Sequence, residues 1–124
     1  MKFRAGFLAA IAAPVFLTFC GCHSYHIETT VENRTGGAIQ LLEVDYPSAS
    51  FGVDKLAAGA EYQYRIQLRG NGPLKVQYTA GQGTQTQTIQ IEGPTVAERQ
   101  EGRLGIVLLP GGKADFHPEL TPRP

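Results

Sequence analysis

From Tyr25 onward, apolar residues recur at every second position in short runs, and turn-forming residues break the runs. In "YHIETTVEN", Tyr25, Ile27, Thr29 and Val31 fall on one side of an extended chain. His26, Glu28, Thr30 and Glu32 fall on the other. Successive side chains of a pleated strand point to opposite faces, so a period of two predicts a strand with one face buried. The cleanest instance is "EYQYRIQL", where Tyr62, Tyr64, Ile66 and Leu68 alternate with Glu61, Gln63, Arg65 and Gln67. "LKVQYTA" repeats the pattern with Leu74, Val76 and Tyr78 inward. Gly70-Asn71-Gly72-Pro73 separates these two runs, which predicts that they pair as a hairpin.

Other runs depart from strict alternation in informative ways. "AIQLLEVDY" changes phase at Leu41-Leu42, which predicts a bulge or burial on both faces. "LGIVLLP" is apolar at consecutive positions, as in a central or well-covered strand. "VDKLAAGA" predicts a short strand or edge segment, "TQTQTIQI" a polar-faced strand, and "KADFHPEL" the last strand. "PTVAERQEGR" interrupts the β pattern. Thr95 followed three residues later by Glu98 has the form of a capping box, which predicts a helical turn or two ending by Gly102. "TPRP" reads as a frayed tail over 121–124, because proline cannot donate to a ladder.

Seven to eight closely spaced strands predict an all-β domain over 25–120. The expected architecture is an antiparallel β-sandwich of immunoglobulin-like type with one short helical turn, a small β-barrel being the alternative. The segment "VENRTGGAIQLLEVDY" resembles the opening of many small envelope sandwiches, in which a strand ends in Asn, a Thr-Gly turn follows and an Ile-containing strand begins.

The N-terminus follows another rule. Lys2 and Arg4 precede an uncharged run from Gly6 to Phe19. A membrane-spanning helix needs about 20 apolar residues. This run is shorter, contains Pro14 and reads as the hydrophobic region of a secretory signal peptide. It leads into "LTFCGCHS", which holds both cysteines of the chain, Cys20 and Cys22. Residues two apart on an extended chain are poorly placed for a disulfide. Cys20, Cys22, His23 and His26 do not have a usual zinc spacing either.

Phe19-Cys20-Gly21-Cys22 resembles the lipobox of bacterial lipoproteins: an apolar residue at −3, a small one at −1, then the cysteine that receives the lipid. Gly21 suits −1 and makes Cys22 the lipid attachment residue. Using Cys20 would place Leu17 at −3 and bulky Phe19 at −1. The resemblance implies that residues 1–21 are removed and that 22–24 form a lipidated tether. More than one acyl chain gives stable anchoring. The mature chain then has no internal disulfide, although an export route would permit one. His23, rather than an Asp, after the cysteine points to the outer membrane of a bacterial cell envelope; free secretion or a periplasmic location is the alternative.

Charge and side-chain chemistry narrow the function classes. Eleven basic and eleven acidic residues balance, so the chain has no basic footprint for nucleic acid. It has no G-x-S-x-G elbow; Ser24, Ser48 and Ser50 are its only serines, and no spacing singles out two carboxylates. The glycine runs "GNGPLK" and "LPGGK" lie between strands, whereas a phosphate cradle needs a helix behind it. Asp115 and His117 share a strand face, yet His23, His26 and His117 read as solvated rather than as metal ligands. Neither catalytic residues, nor a metal, nor a cofactor is expected.

Two stretches are candidate contact surfaces. Tyr46 and Phe51 flank small residues in "DYPSASFG", a candidate binding loop unless the rings pack beneath it. Thr84, Thr86 and Thr88 form a candidate polar ladder alternating with Gln85 and Gln87, or simply the outer face of a strand. The absence of Trp weakens a sugar-platform reading. The expectation is a lipid-anchored envelope module with a non-enzymatic role, binding a protein or polymer partner. The alternatives are a secreted carboxylate-dependent hydrolase and an edge-strand subunit of an envelope assembly.

Overall fold

The computed structural model describes residues 26–122. Residues 1–25, on which the expected signal peptide, the expected lipid attachment at Cys22 and the expected tether fall, lie outside the described residues, as do 123 and 124. The described residues form eight strands and no helix: β1 (His26–Asn33), β2 (Ile39–Tyr46), β3 (Ala49–Leu56), β4 (Glu61–Gln67), β5 (Gly72–Gln82), β6 (Gln85–Val96), β7 (Gln100–Leu109) and β8 (Lys113–Pro122). They make two packed four-stranded sheets, ordered β4-β1-β7-β8 and β3-β2-β5-β6.

The alternating residues supply the core. Ile27 and Val31 of β1 and Leu104, Ile106 and Leu108 of β7 face Ile39, Leu42 and Val44 of β2 and Leu74, Val76 and Tyr78 of β5, all nearly inaccessible to solvent. Full burial of one such aliphatic side chain is worth about 1.5–3 kcal/mol. The phase change in β2 is a bulge. Leu41 takes a positive φ of 52°, its side chain is 62 % exposed, and the pairing with β5 shifts register between Gln40 and Glu43. Gly52 of β3 lies against this bulge, where an added Cβ would sit 2.4 Å from the Leu42 carbonyl oxygen.

Four expectations need correction. The sandwich is not wholly antiparallel, because β1 and β7 pair in parallel at the centre of their sheet. The runs predicted to form a hairpin do not pair: β4 joins β1, whereas β5 lies between β2 and β6 in the other sheet. The turn signal was genuine, but the chain uses it to cross between sheets, carrying Leu68 into the core as it does so. The expected helical turn is absent. Thr95 continues β6 opposite Pro73, and Arg99 takes a positive φ of 66° before β7 begins. One local and one tertiary partner supply what a helix cap would have supplied: Ala97 N–H donates to Gln100 Oε1 at 2.9 Å and Glu98 N–H to Asn71 Oδ1 at 2.8 Å. Finally, Thr121 and Pro122 belong to β8, paired with Glu101 and Gln100. An edge strand tolerates proline because one side of its ladder has no partner.

β1 carries both buried polar residues of the core, Thr29 and Asn33. The Asn33 side-chain amide donates to the carbonyls of Gly37 (2.8 Å), Leu56 (3.0 Å) and Ala57 (3.2 Å). Its Oδ1 accepts from the Thr35 N–H and hydroxyl. Its backbone binds Ala60 and Gly59. One side chain therefore holds the end of β1, the turn to β2, and the connection from β3 to β4.

The Thr29 hydroxyl bonds that of Tyr46 at 2.5 Å and links the two sheets. "DYPSASFG" is thus a tight β2–β3 hairpin rather than a contact loop. Tyr46 and Phe51 are 5 % and 6 % exposed, and Phe51 stacks on Tyr64 with centroids 4.6 Å apart. Their large apolar area is best satisfied inside, which is why the segment presents neither ring to a partner.

Two outcomes follow. Asn33→Ala leaves several buried carbonyls without donors and is expected to cost about 3 kcal/mol in urea unfolding followed by circular dichroism. Asn33→Asp, which turns an acceptor toward those carbonyls, should cost at least as much; a loss below about 1 kcal/mol for both would disprove the clamp. Burial pushes the Tyr46 hydroxyl from 10.0 up to about 12, the bond to Thr29 opposing part of the rise. Above about pH 10 the unfolded chain sheds a proton that the folded chain keeps. This contribution is therefore complete below pH 10 and is lost as pH climbs toward 12, on the order of 2–3 kcal/mol in all. Alkaline unfolding of Tyr46→Phe should show most of that slope removed, the remainder coming from Tyr78, which burial also raises.

Candidate functional site

The strand directions divide the connections between two ends. His26 enters at one end, where the turns after β2, β4 and β6 also lie and where β8 finishes. The opposite end carries the β1–β2 turn, the β3–β4 connection, and the β5–β6 and β7–β8 turns. The second end is rich in glycine because tight turns with positive φ need it: Gly36, Gly59, Gly81, Gly83, Gly111 and Gly112 all take such angles there. At Gly81 the requirement is steric as well, since a Cβ would meet the Gln85 carbonyl oxygen at 2.0 Å.

A concavity of about 700 Å³ opens at this far end. Its walls are the inner face of the β5–β6 hairpin, the Pro110–Gly112 turn and the Thr35–Ala38 segment that Asn33 holds in place. It extends around β6 to include Thr88 and Gln90. Tyr78 lines it. That residue is 1 % exposed, and its hydroxyl lacks a hydrogen-bond partner. A buried hydroxyl without a partner is costly, and burial also raises its pKa. No charged side chain lines this concavity.

A second hollow, of about 810 Å³, lies on the outer face of the β4-β1-β7-β8 sheet. Register places Arg65, Glu28, Arg103 and Glu119 in one row across all four strands, with Gln63, Thr30, Gly105 and His117 in the next. Arg65 Nε donates to Glu28 Oε1 at 2.7 Å, and both side chains are at least half exposed. The row alternates in sign and the pair is solvated, so its contribution to stability is at most about 1 kcal/mol. Asp115 and His117 are exposed on this face. Among the described residues no cluster of three or more His, Cys, Asp or Glu side chains is placed to hold a metal. On the outer face of the other sheet, hydrogen bonding and repulsion from Asp45 hold the Glu43 carboxyl above the usual range, but Glu43 is exposed on the strand surface.

The proposed threonine ladder is divided by the fold. Thr84 sits in the β5–β6 turn, while Thr86 and Thr88 lie exposed on β6 opposite Gly81 and Thr79. Only Thr88 of the three borders the far-end concavity. Sequence reasoning placed Tyr78 in the core correctly but gave it no further role. The turns around Gly36, Gly81 to Gly83 and Gly111-Gly112 were legible, whereas Gly59 fell within "VDKLAAGA", read as strand, and lies in the β3–β4 connection; their convergence at one end depends on strand directions. Comparison with protein-family models, curated proteins and solved structures found no match.

Proposed function

We propose that this chain is a lipid-anchored, non-enzymatic module of the bacterial cell envelope that binds a protein or polymer partner at the end of the sandwich far from its anchor. The observation that carries this reading is the position of the chain's entry. β1 begins at His26, four residues beyond the lipobox-like Cys22, at the end opposite the concavity that Tyr78 lines. Four residues reach at most about 14 Å. A lipid on Cys22 therefore holds the entry end close to the bilayer. An eight-residue strand rises about 27 Å, so the concavity stands clear of the headgroups and faces outward.

His23 after the cysteine supports placement at the outer membrane. Removing Lys2 and Arg4 leaves nine basic groups against eleven acidic ones, so the mature domain is weakly acidic and carries no net positive charge to draw it flat onto anionic lipid. Metabolic labelling with a palmitate analogue tests the anchor. Label is expected on the expressed protein and is expected to vanish in Cys22→Ala; label that survives this change, or is absent throughout, would sink it.

A further inference from the structure

We infer that the far-end concavity is a peptide slot, in which an extended, uncharged segment of a partner protein pairs with the free edge of β6 and reaches the Tyr78 hydroxyl. This rests on the binding-module reading and names its site and partner class.

The first observation concerns sheet edges. β3, β4, β6 and β8 are the four edge strands. Unpaired N–H and C=O groups on an edge invite another strand, and proteins ordinarily guard them with charge or proline. β8 has Lys113, Asp115, Pro118 and Glu119; β4 has Glu61 and Arg65; β3 has Asp54 and Lys55. β6 is the longest strand, and from Gln85 to Ile91 it has neither charge nor proline. The unguarded portion is the part that borders the concavity, through Gln87, Thr88, Ile89 and Gln90.

The second observation is the Tyr78 hydroxyl, buried without a partner beside that same edge. A buried polar atom without a protein partner calls for one, and a ligand seated in the slot can supply it. The third is the facing wall. Gly111 and Gly112 form it without side chains, and a Cβ on Gly112 would stand 3.6 Å from a methyl of Ile89. This turn already packs against Ile89, so it bounds the slot on that side without adding a charge. The lining holds only hydroxyls, carboxamides, backbone and apolar groups, so a charged residue entering it would lose solvent without gaining a counter-ion. Strand addition of this kind takes affinity from main-chain hydrogen bonds and specificity from alternate side chains.

A second copy of the chain is the less suitable occupant. Two β6 edges related by a two-fold axis must run antiparallel. One sandwich would then be inverted, with its His26 end and its anchor pointing away from the membrane that holds the other.

The test uses the full chain in detergent and fluorescence anisotropy with two labelled, amidated hexapeptides, one alternating Thr and Val and the other alternating Glu and Val. The Thr-Val peptide is expected to bind saturably and at least tenfold more tightly than the Glu-Val peptide. Thr88→Lys, at an exposed position that places a guard on the edge, should weaken binding at least tenfold and leave thermal unfolding unchanged. Tyr78→Phe should weaken binding several-fold while raising the unfolding midpoint, because it deletes an unpartnered buried hydroxyl; a role in packing alone would change the midpoint and leave binding intact. No binding up to millimolar peptide, equal binding of the two peptides, indifference to both substitutions, or displacement by an N-acetylglucosamine oligomer would each overturn the proposal. Palmitate labelling is read separately, so failure of the slot and failure of the anchor are distinguishable.

Discussion

A buried asparagine side chain cannot remain unpaired, and the way Asn33 meets that demand organises one end of this sandwich. Its amide and carbonyl groups reach the β1–β2 turn and the end of β3, while its backbone binds the β3–β4 connection. Hydrophobic burial is non-directional and would accept many relative placements of the two sheets. Hydrogen bonds from one fully enclosed side chain accept very few, because each unmade bond leaves a desolvated polar group. The Arg34 N–H, which donates to the Leu108 carbonyl at 2.8 Å, extends the same constraint to β7. The Thr35–Ala38 segment held in this way is a wall of the far-end concavity, so the constraint that aligns the sheets also shapes the candidate site.

Two tyrosines show how a core treats the same hydroxyl differently. Tyr46 pairs with Thr29 across the sheets, and the pair couples β1 to β2 well inside the sandwich. Tyr78, equally enclosed, has no such partner. In a domain of this size, with a modest core, leaving a hydroxyl unpaired is a substantial concession. Stability and ligand recognition commonly diverge at such positions, because a group held unpaired in the free protein is available to a ligand.

The placement of β1 links the fold to the proposed anchor. β1 lies in the interior of its sheet, between β4 and β7, with its parallel bonds to β7 and its antiparallel bonds to β4. A tether joined to a central strand transmits its position to the whole sheet, whereas one joined to an edge could peel away. Under the proposed anchoring, the entry end of β1 sets which turns face lipid and which face outward.

The alternation of apolar residues, read from the chain alone, was enough for an all-β domain, for the inward faces of β1 and β5, and for the Leu41-Leu42 irregularity. Each of these depends on local geometry, in which side chains alternate every residue and a bulge breaks the alternation. Partner choice was not legible. Gly70 to Pro73 marks a turn equally well whether the chain folds back beside itself or crosses to the other sheet. Thr95 and Glu98 have capping-box spacing, but Asn71 and Gln100 made an extended path and a tight turn the better solution. The parallel β1–β7 pair, the burial of Tyr46 and Phe51, and the convergence of glycine turns around Tyr78 all arise from contacts between residues far apart in the chain. Such contacts are decided by which arrangement buries the apolar faces while pairing every Asn33 and Thr29 polar group, and that choice exists only in the assembled tertiary structure.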